Sequence, residues 1–497
     1  MMQSLPVNIY SVAAVREIDR IAIEDKGIPA YTLMKRAGAA AVSAARSHYP
    51  NAERWQVICG AGNNGGDGYV VARLAAQNGI AVSALALVDP ALLQGDAATA
   101  YTDFAAEGGV VMPWAGELDV EADLLVDAIL GSGLERDVAG VFADAVSAIN
   151  AHPAKVHAMD IATGINGDTG AVMGVAVIAS LTTTFVGLKS GLFLGVGPNY
   201  CGEITFSDLG IDDACRALVP AVYRRPDDGL LASSLPARLR GAHKGDFGHV
   251  LVVGGGPGMS GAARLCGEAA LRAGAGRVSV ATHPDHAALI SAARPELMSH
   301  GVSGAADLQT LLGKADVIAF GPGLGQSDWA RDVFTVVAEA GQATVWDADG
   351  LNWLATAPDA RDNRVITPHP GEAATLLETD TASIQSDRPA ALCALADKYG
   401  GIVVLKGAGS LISDDKGASG TPFVCTSGNP GMAAPGMGDV LTGIIAALVA
   451  QGLSLSVAAA AGVELHARAG DLVAASNGQR GMLASDLIDA LPRVVNP

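Results

Sequence analysis

The chain has 497 residues, half of them apolar, which is too long for one hydrophobic core and points to two folded domains. Its formal net charge of −19 and lack of a Lys/Arg cluster argue against nucleic acid or an anionic membrane as partner, so anionic ligands must be met by local backbone donors. The six cysteines (Cys59, Cys201, Cys215, Cys266, Cys393, Cys425) show no C-x-x-C spacing, which implies no zinc site and suits reduced thiols, and Met1 to Pro6 carry no basic or apolar leader, so a cytoplasmic protein is expected.

In chain order, Ser11 reads as the cap of a first helix with Val12, Val15, Ile18 and Ile21 on one face, and a second helix runs from Tyr31 through Ala39. A buried strand over 56–59 leads into Gly60-Ala61-Gly62-Asn63-Asn64-Gly65-Gly66-Asp67-Gly68, and Tyr69 to Ala75 then has helical periodicity. This places the glycine-rich segment as a binding loop at a strand's carboxyl end, feeding a helix N-terminus that favours anions. Further strands are read over 82–87, 124–127, 156–160 and 181–186. A Pro/Asp/Gly cluster at Arg224 to Gly229 marks a domain boundary, giving domains over 1–224 and 231–497.

The second half repeats the alternation, with strands over 249–253, 277–281, 317–320, 343–346, 365–367 and 402–405. Both halves therefore read as α/β, each a parallel sheet covered on both faces: two three-layer domains, the first a Rossmann-like doubly wound sheet. The uncharged stretch from Gly443 to Val463 has the length of a membrane span, but Gln451-Gly452 and Ser454, Ser456 break it into two Ala-rich helices of a folded domain.

Three strand ends of the first half carry polar punctuation: the Asn63 to Asp67 segment, Asp127 to Gly133, and Asp160 to Gly164. In a doubly wound sheet such ends face one crevice. Asp127 and Asp160 each end an apolar run, where partial desolvation suits a general acid or base, although either can equally cap a turn or hold a cation. Asn64, Asp127 and Thr163 offer hard oxygen ligands, and the residues alone do not choose the ion.

In the second half, Gly436-Met437-Gly438-Asp439 is a glycine turn entering an apolar helix, an anion hole reinforced by the helix dipole. Asp439 beside it is placed to take a proton from a substrate hydroxyl during phosphoryl transfer. Lys406-Gly407-Ala408-Gly409-Ser410, Gly321 to Gly325 and His369 between two prolines agree with a nucleotide site. Lys406 can hold phosphate or pair with a carboxylate, and Asp347 and Asp349 can position metal-bound phosphate or stabilise their turn.

These motifs carry two resemblances. Over roughly the first 220 residues, the Gly60 to Gly68 segment, Asp-Ala-Ile-Leu-Gly-Ser-Gly-Leu from Asp127, and Asp160 to Gly170 resemble the NAD(P)H-hydrate epimerase module. The resemblance implies that Asn63, Asn64, Gly65, Gly66 and Asp67, with Gly131, Ser132, Gly133, Leu134, Glu135, Arg136 and Asp137, cradle the hydrated dinucleotide. It also implies that Asp160 serves the nicotinamide ring, while Asn64, Asp127 and Thr163 ligate K+. From His243-Lys244-Gly245-Asp246-Phe247-Gly248-His249 to the terminal helices, the chain resembles the ribokinase-like ADP-dependent NAD(P)H-hydrate dehydratases. That resemblance implies nucleotide contacts from Lys406 to Ser410 and Gly438, and substrate contacts from Ala263, Gly323, His369 and Asp439, with Mg2+ and with ADP as phosphoryl donor.

Together they imply epimerisation of the R and S hydrates by one half and ADP-driven dehydration of the S form by the other, through phosphorylation of the C6 hydroxyl with Asp439 as base. A homo-oligomer is expected, with small-molecule partners. The rival is a vitamin-precursor or sugar kinase fused to a nucleotide-binding regulatory module, which leaves the fused first module unexplained. A hydride-transferring dehydrogenase fits less well, because Asn-Asn occupies the spacing of a G-x-G-x-x-G turn.

Overall fold

The computed structural model describes residues 5–415 and 420–496. Met1 to Ser4, part of the segment read as lacking a leader, lie outside the described residues. The chain forms two compact units, residues 1–224 and 225–497.

The first unit holds a seven-stranded, all-parallel sheet in the order 110–113, 81–86, 54–59, 124–128, 155–159, 181–185, 203–207. Strand order runs outward in both directions from the pair Arg54–Cys59 and Leu124–Ala128, so a crevice opens at the carboxyl ends of these two strands. Both faces are covered: Trp55, Val57 and Cys59 pack into one apolar cluster and Ile58 with Leu125 into another, which explains why these strands read as continuous apolar runs. Register sets the site. Ile58 pairs with Asp127, and Asp127 with Ala158, so the Asp127 carboxylate sits inside the sheet.

A short strand, Asn8–Tyr10, pairs antiparallel with Tyr223–Arg224 and parallel with Leu188–Lys189. Ser11 then caps the helix Val12–Arg20, its side chain accepting from Ala14 N–H, which follows from a hydroxyl placed ahead of an amphipathic run.

The second unit holds a parallel sheet in the order 298–301, 277–282, 249–253, 317–320, 343–346, 364–366, 402–405, extended by antiparallel strands 411–412 and 423–424. Helices Met437–Ala450 and Ser260–Arg272 pack against each other so closely that a Cβ on Gly443 would lie 2.1 Å from the Cys266 carbonyl. The apolar stretch 443–463 divides between Met437–Ala450 and Leu455–Asn477, with the break at Gln451 to Ser454. Among the described residues no helix is long and apolar enough to cross a membrane.

One expectation is corrected. The helix read as beginning at Tyr69 begins at Asn63, capped by Gly62. Asn63 to Gly68 are therefore its first turns and not a loop, and the glycines serve contact: a Cβ on Gly65 would lie 2.2 Å from the Gly60 carbonyl, and one on Gly68 2.5 Å from Ala128 Cβ. Only glycine lets this helix start lie directly on the sheet.

Candidate active sites

At the first crevice, the strand ends and the start of helix Asn63–Gln77 enclose a cavity of about 1160 Å³. Of the sequence-predicted residues, Asn63, Asn64, Asp67, Gly131, Ser132, Gly133, Leu134, Glu135, Arg136 and Asp160 line it. Gly65 and Gly66 do not: Gly65 abuts the Gly60 backbone, and Gly66 faces Met34 and Ala97. Asp137 is exposed and outside the lining.

Asp160 has a backbone φ of 67°, a left-handed conformation that a non-glycine residue adopts at a cost. That twist turns its carboxylate into the cavity, where Ser132 N–H donates to Oδ2 and the Lys189 ammonium binds Oδ1. Lys189 also donates to Thr184 Oγ1 (3.1 Å) and to the Phe185 carbonyl (2.8 Å), which uses all three of its N–H groups. Burial pushes the Asp160 pKa up, but the Lys189 charge and hydrogen bond more than offset it, so the carboxyl titrates below its usual range.

Asp127 is fully buried, and its oxygens accept from Thr163 Oγ1 (2.7 Å), Thr163 N–H (2.8 Å) and Ile129 N–H (3.2 Å). Burial raises its pKa to about 6 against these hydrogen bonds. Asn64 is buried, and neither its side-chain oxygen nor its nitrogen has a partner. An amide buried in this way lacks a ligand that the protein itself does not supply. Asp127 and Thr163 are joined by these hydrogen bonds but are not among the residues that line the cavity, whereas Asn64 is. Among the described residues no group of three or more His, Cys, Asp or Glu could hold a metal ion.

Sequence reasoning missed Asp19 and Lys189 in this cavity. Neither belongs to a local motif; Lys189 arrives through its register with Tyr10, which only the folded sheet supplies.

In the second unit, Gly436 has a left-handed φ of 87° and turns the chain into helix Met437–Ala450, with Asp439 in its first turn. Behind this turn lies a buried polar cluster. Lys406 Nζ donates to Asp347 Oδ1 (2.6 Å) and stands 3.6 Å from Glu372 Oε2, and Thr442 Oγ1 donates to Asp347 Oδ2 (3.1 Å). Gly438 leaves room there, since a Cβ on it would lie 3.0 Å from Asp347 Oδ2 and 3.3 Å from Lys406 Nζ. Burial raises the Asp439 pKa to about 7, reinforced by the Asp347 charge and opposed by Lys406. Asp347 is held below its usual range, because Lys406 more than offsets its burial.

Lys406 is thus paired with a carboxylate, the second of the two options its sequence left open. Arg388 supports Lys406 to Ser410 from below, donating to the Ala408 carbonyl (2.6 Å) and the Leu405 carbonyl (3.1 Å). Asp349 accepts from Gly325 N–H (2.9 Å) and so stabilises the glycine turn after strand 317–320, where Gly323 has a φ of 57°. His369 caps helix Pro370–Leu377: its Nδ1 accepts from Gly371 and Glu372 N–H, so its neutral form carries the proton on the half-exposed side, at Nε2. Ala263 is fully buried in the apolar core, so its side chain contributes packing. Glu372, which couples His369 to Lys406, was not read from the sequence as a site residue.

Comparison with known proteins matches both units to families. Residues 250–493 match the family model NAD(P)H-hydrate dehydratase, and residues 30–191 match the model YjeF-related protein N-terminus. The bifunctional NAD(P)H-hydrate repair enzyme Nnr of Coxiella burnetii is 46% identical over 489 residues, covering 98% of this chain and 99% of the relative. The enzyme of the same name from Escherichia coli is 44% identical over 494 residues, covering 99% and 95%. Among solved structures, a hypothetical protein from Streptococcus mutans aligns with a TM-score of 0.51 at 29% identity, covering 55% of this chain and 98% of its own. Two α/β units, two matched family models and full-length identities of 46% and 44% with these enzymes lead to one conclusion: the chain belongs to the bifunctional NAD(P)H-hydrate repair enzymes.

Proposed function

We propose that residues 1–224 interconvert the R and S hydrates of NAD(P)H and that residues 231–497 dehydrate the S form with ADP, giving NAD(P)H, AMP and phosphate. The observation that carries the second half of this reading is Asp439: a carboxylate without a hydrogen-bond partner among the described residues, on the first turn of helix Met437–Ala450, raised to a pKa of about 7 by its burial and by Asp347. A base so tuned takes the proton of the C6 hydroxyl as that oxygen attacks the β-phosphorus of ADP. The N–H groups from Met437 to Asp439 face the moving phosphoryl group. Loss of inorganic phosphate then restores the reduced ring, since phosphate is a far better leaving group than hydroxide.

In this reading Lys406, Gly407, Ala408, Gly409, Ser410 and Gly438 hold the adenine nucleotide, while Gly323, His369 and the main chain at Ala263 hold the hydrate. Mg2+ is carried on the nucleotide phosphates. Asp347, Asp349 and Glu372 each already accept from protein donors.

In the first unit, Asn63, Asn64, Asp67 and Gly131 to Arg136 hold the dinucleotide, with Asp160 at the reacting ring. Asn64, Asp127 and Thr163 suit K+, which would supply the charge that Asp127 lacks at full burial and the partner that Asn64 lacks. The reading also expects a homo-oligomer in the cytoplasm, which sedimentation of the full chain and fractionation test.

The test is to incubate the protein with hydrated NADH and ADP and follow the absorbance of the reduced ring. Recovery that needs ADP and fails in Asp439→Asn is expected; phosphorylation of an added free alcohol with no recovery would overturn it.

A further inference from the structure

Asp19 faces the first cavity, yet it belongs to none of the motifs above. Its position follows from the chain's opening. The register Tyr10 to Lys189 anchors the first strand, Ser11 caps the helix at once, and Val12, Val15 and Ile18 are buried. Asp19, four residues after Val15, lies on the same side of the helix and projects into the cavity beside Val15 and Ile23. Among the described residues it makes no hydrogen bond or ion pair, although an aspartate on the inner side of a helix ordinarily needs one.

Lys189 cannot serve Asp19, because its three N–H groups are taken by Asp160, Thr184 and Phe185. A ligand in this cavity is indicated independently by Asn64, nine-tenths buried and without a partner. Asp160 enters from a strand end and Asp19 from the helix Val12–Arg20, so the two carboxylates approach the cavity from different elements.

We propose that Asp19 is the second acid–base residue of the epimerising site, working on the ring face opposite Asp160. The inference rests on the epimerase reading of this unit. With one carboxyl protonated and the other ionised, the acid donates its proton to the C6 hydroxyl on its own face. The C6–O bond breaks, water leaves, and the N1 lone pair stabilises the cation at C6. Water then adds to C6 from the other face and gives its proton to the second carboxylate. One C–O bond is lost and one is made, the proton lost by the first carboxyl equals the proton gained by the second, and the opposite epimer runs the sequence backwards. Neither oxidant nor co-substrate is required.

Asp19 can hold or release a proton near neutrality: burial lifts it to about 6, Lys189 lowers it, and Asp160 raises it. Asp67, Asp160 and Lys189 are the ionisable groups facing it from other elements; Arg16, Arg20 and Glu24 stand at the rim on its own side, and Asp96, Glu135 and Arg136 on the other. Asp67 is held protonated well above the usual range by burial, with Asp160 and Asp19 adding to it, so it donates rather than cycles.

The test measures R-to-S equilibration of hydrated NADPH by the full chain across pH, with the ADP-dependent consumption of the S form run alongside. Asp19→Asn is expected to lose about 10²- to 10⁴-fold in kcat with KM little changed. It should also lose the pH limb near 6, while Asp19→Glu keeps part of the rate and shifts the limb. Parent-like kcat in Asp19→Asn, a limb that persists there, or a limb removed instead by Asp67→Asn overturns the assignment. An unsubstituted chain that consumes the S form but does not hasten equilibration overturns the epimerase reading itself, a result distinct from the failure of Asp19 alone.

Discussion

At Asp439, what favours catalysis opposes folding. The carboxyl must be ionised to act as base, so dehydration should rise with pH up to about 7 and fall about tenfold per unit below it. The folded pKa lies above the unfolded value, so the native state binds this proton more tightly, and stability is lost as pH rises from about 4 through about 7. Asp439→Asn should therefore abolish dehydration and yet stabilise the protein at pH 8 by roughly 1–3 kcal/mol, read from urea midpoints. Lys406 works in the other direction. Its partner Asp347 is held below the usual range, so their pairing contributes stability at neutral pH that is lost as pH falls through the lowered Asp347 value. Lys406→Met strands that carboxylate and should cost about 3–5 kcal/mol at pH 7, less in acid where Asp347 takes a proton. The same denaturation curves check it.

At the scale of elements, the glycines that seat helix on sheet set the next prediction. Gly68→Ala brings a Cβ to 2.5 Å from Ala128 Cβ and 3.0 Å from Cys59 Sγ, so the Asn63–Gln77 helix must lift from its strands. About 1–3 kcal/mol of destabilisation is expected in the first unit, with slower epimer equilibration and unchanged dehydration. Which elements were legible in the sequence follows from the same packing. The central parallel strands are covered on both faces, so runs such as Val57-Ile58-Cys59 and Ile402 to Leu405 announce themselves. Val110–Pro113, Met298–Gly301 and Glu203–Ser207 lie at sheet edges, carry exposed or half-exposed residues, and escaped notice. Asp127, Asp160 and Asp439 were legible because each stands where an apolar run meets a glycine turn. Asp19, Lys189 and Glu372 were not, because strand register and helix facing bring them in from residues that look ordinary in sequence. The start of helix Asn63–Gln77 was misplaced because six residues containing three glycines have low helix propensity, which tertiary contact overrides.

At the scale of the whole molecule, each of the two compact units carries its own parallel sheet and apolar core. Residues 225–497 expressed alone should consume the S hydrate with ADP and leave the R hydrate behind, and adding residues 1–224 should restore complete consumption; chromatography of the two epimers reads both.

Seating the amide-bearing turn Asn63 to Gly68 within a helix means that, in the reading proposed above, the dinucleotide meets donors already arrayed. A tether of the same composition would surrender its conformational entropy on every binding event, whereas this one has surrendered it during folding. Recognition of a scarce, damaged metabolite is then limited by encounter rather than by the ordering of its receptor.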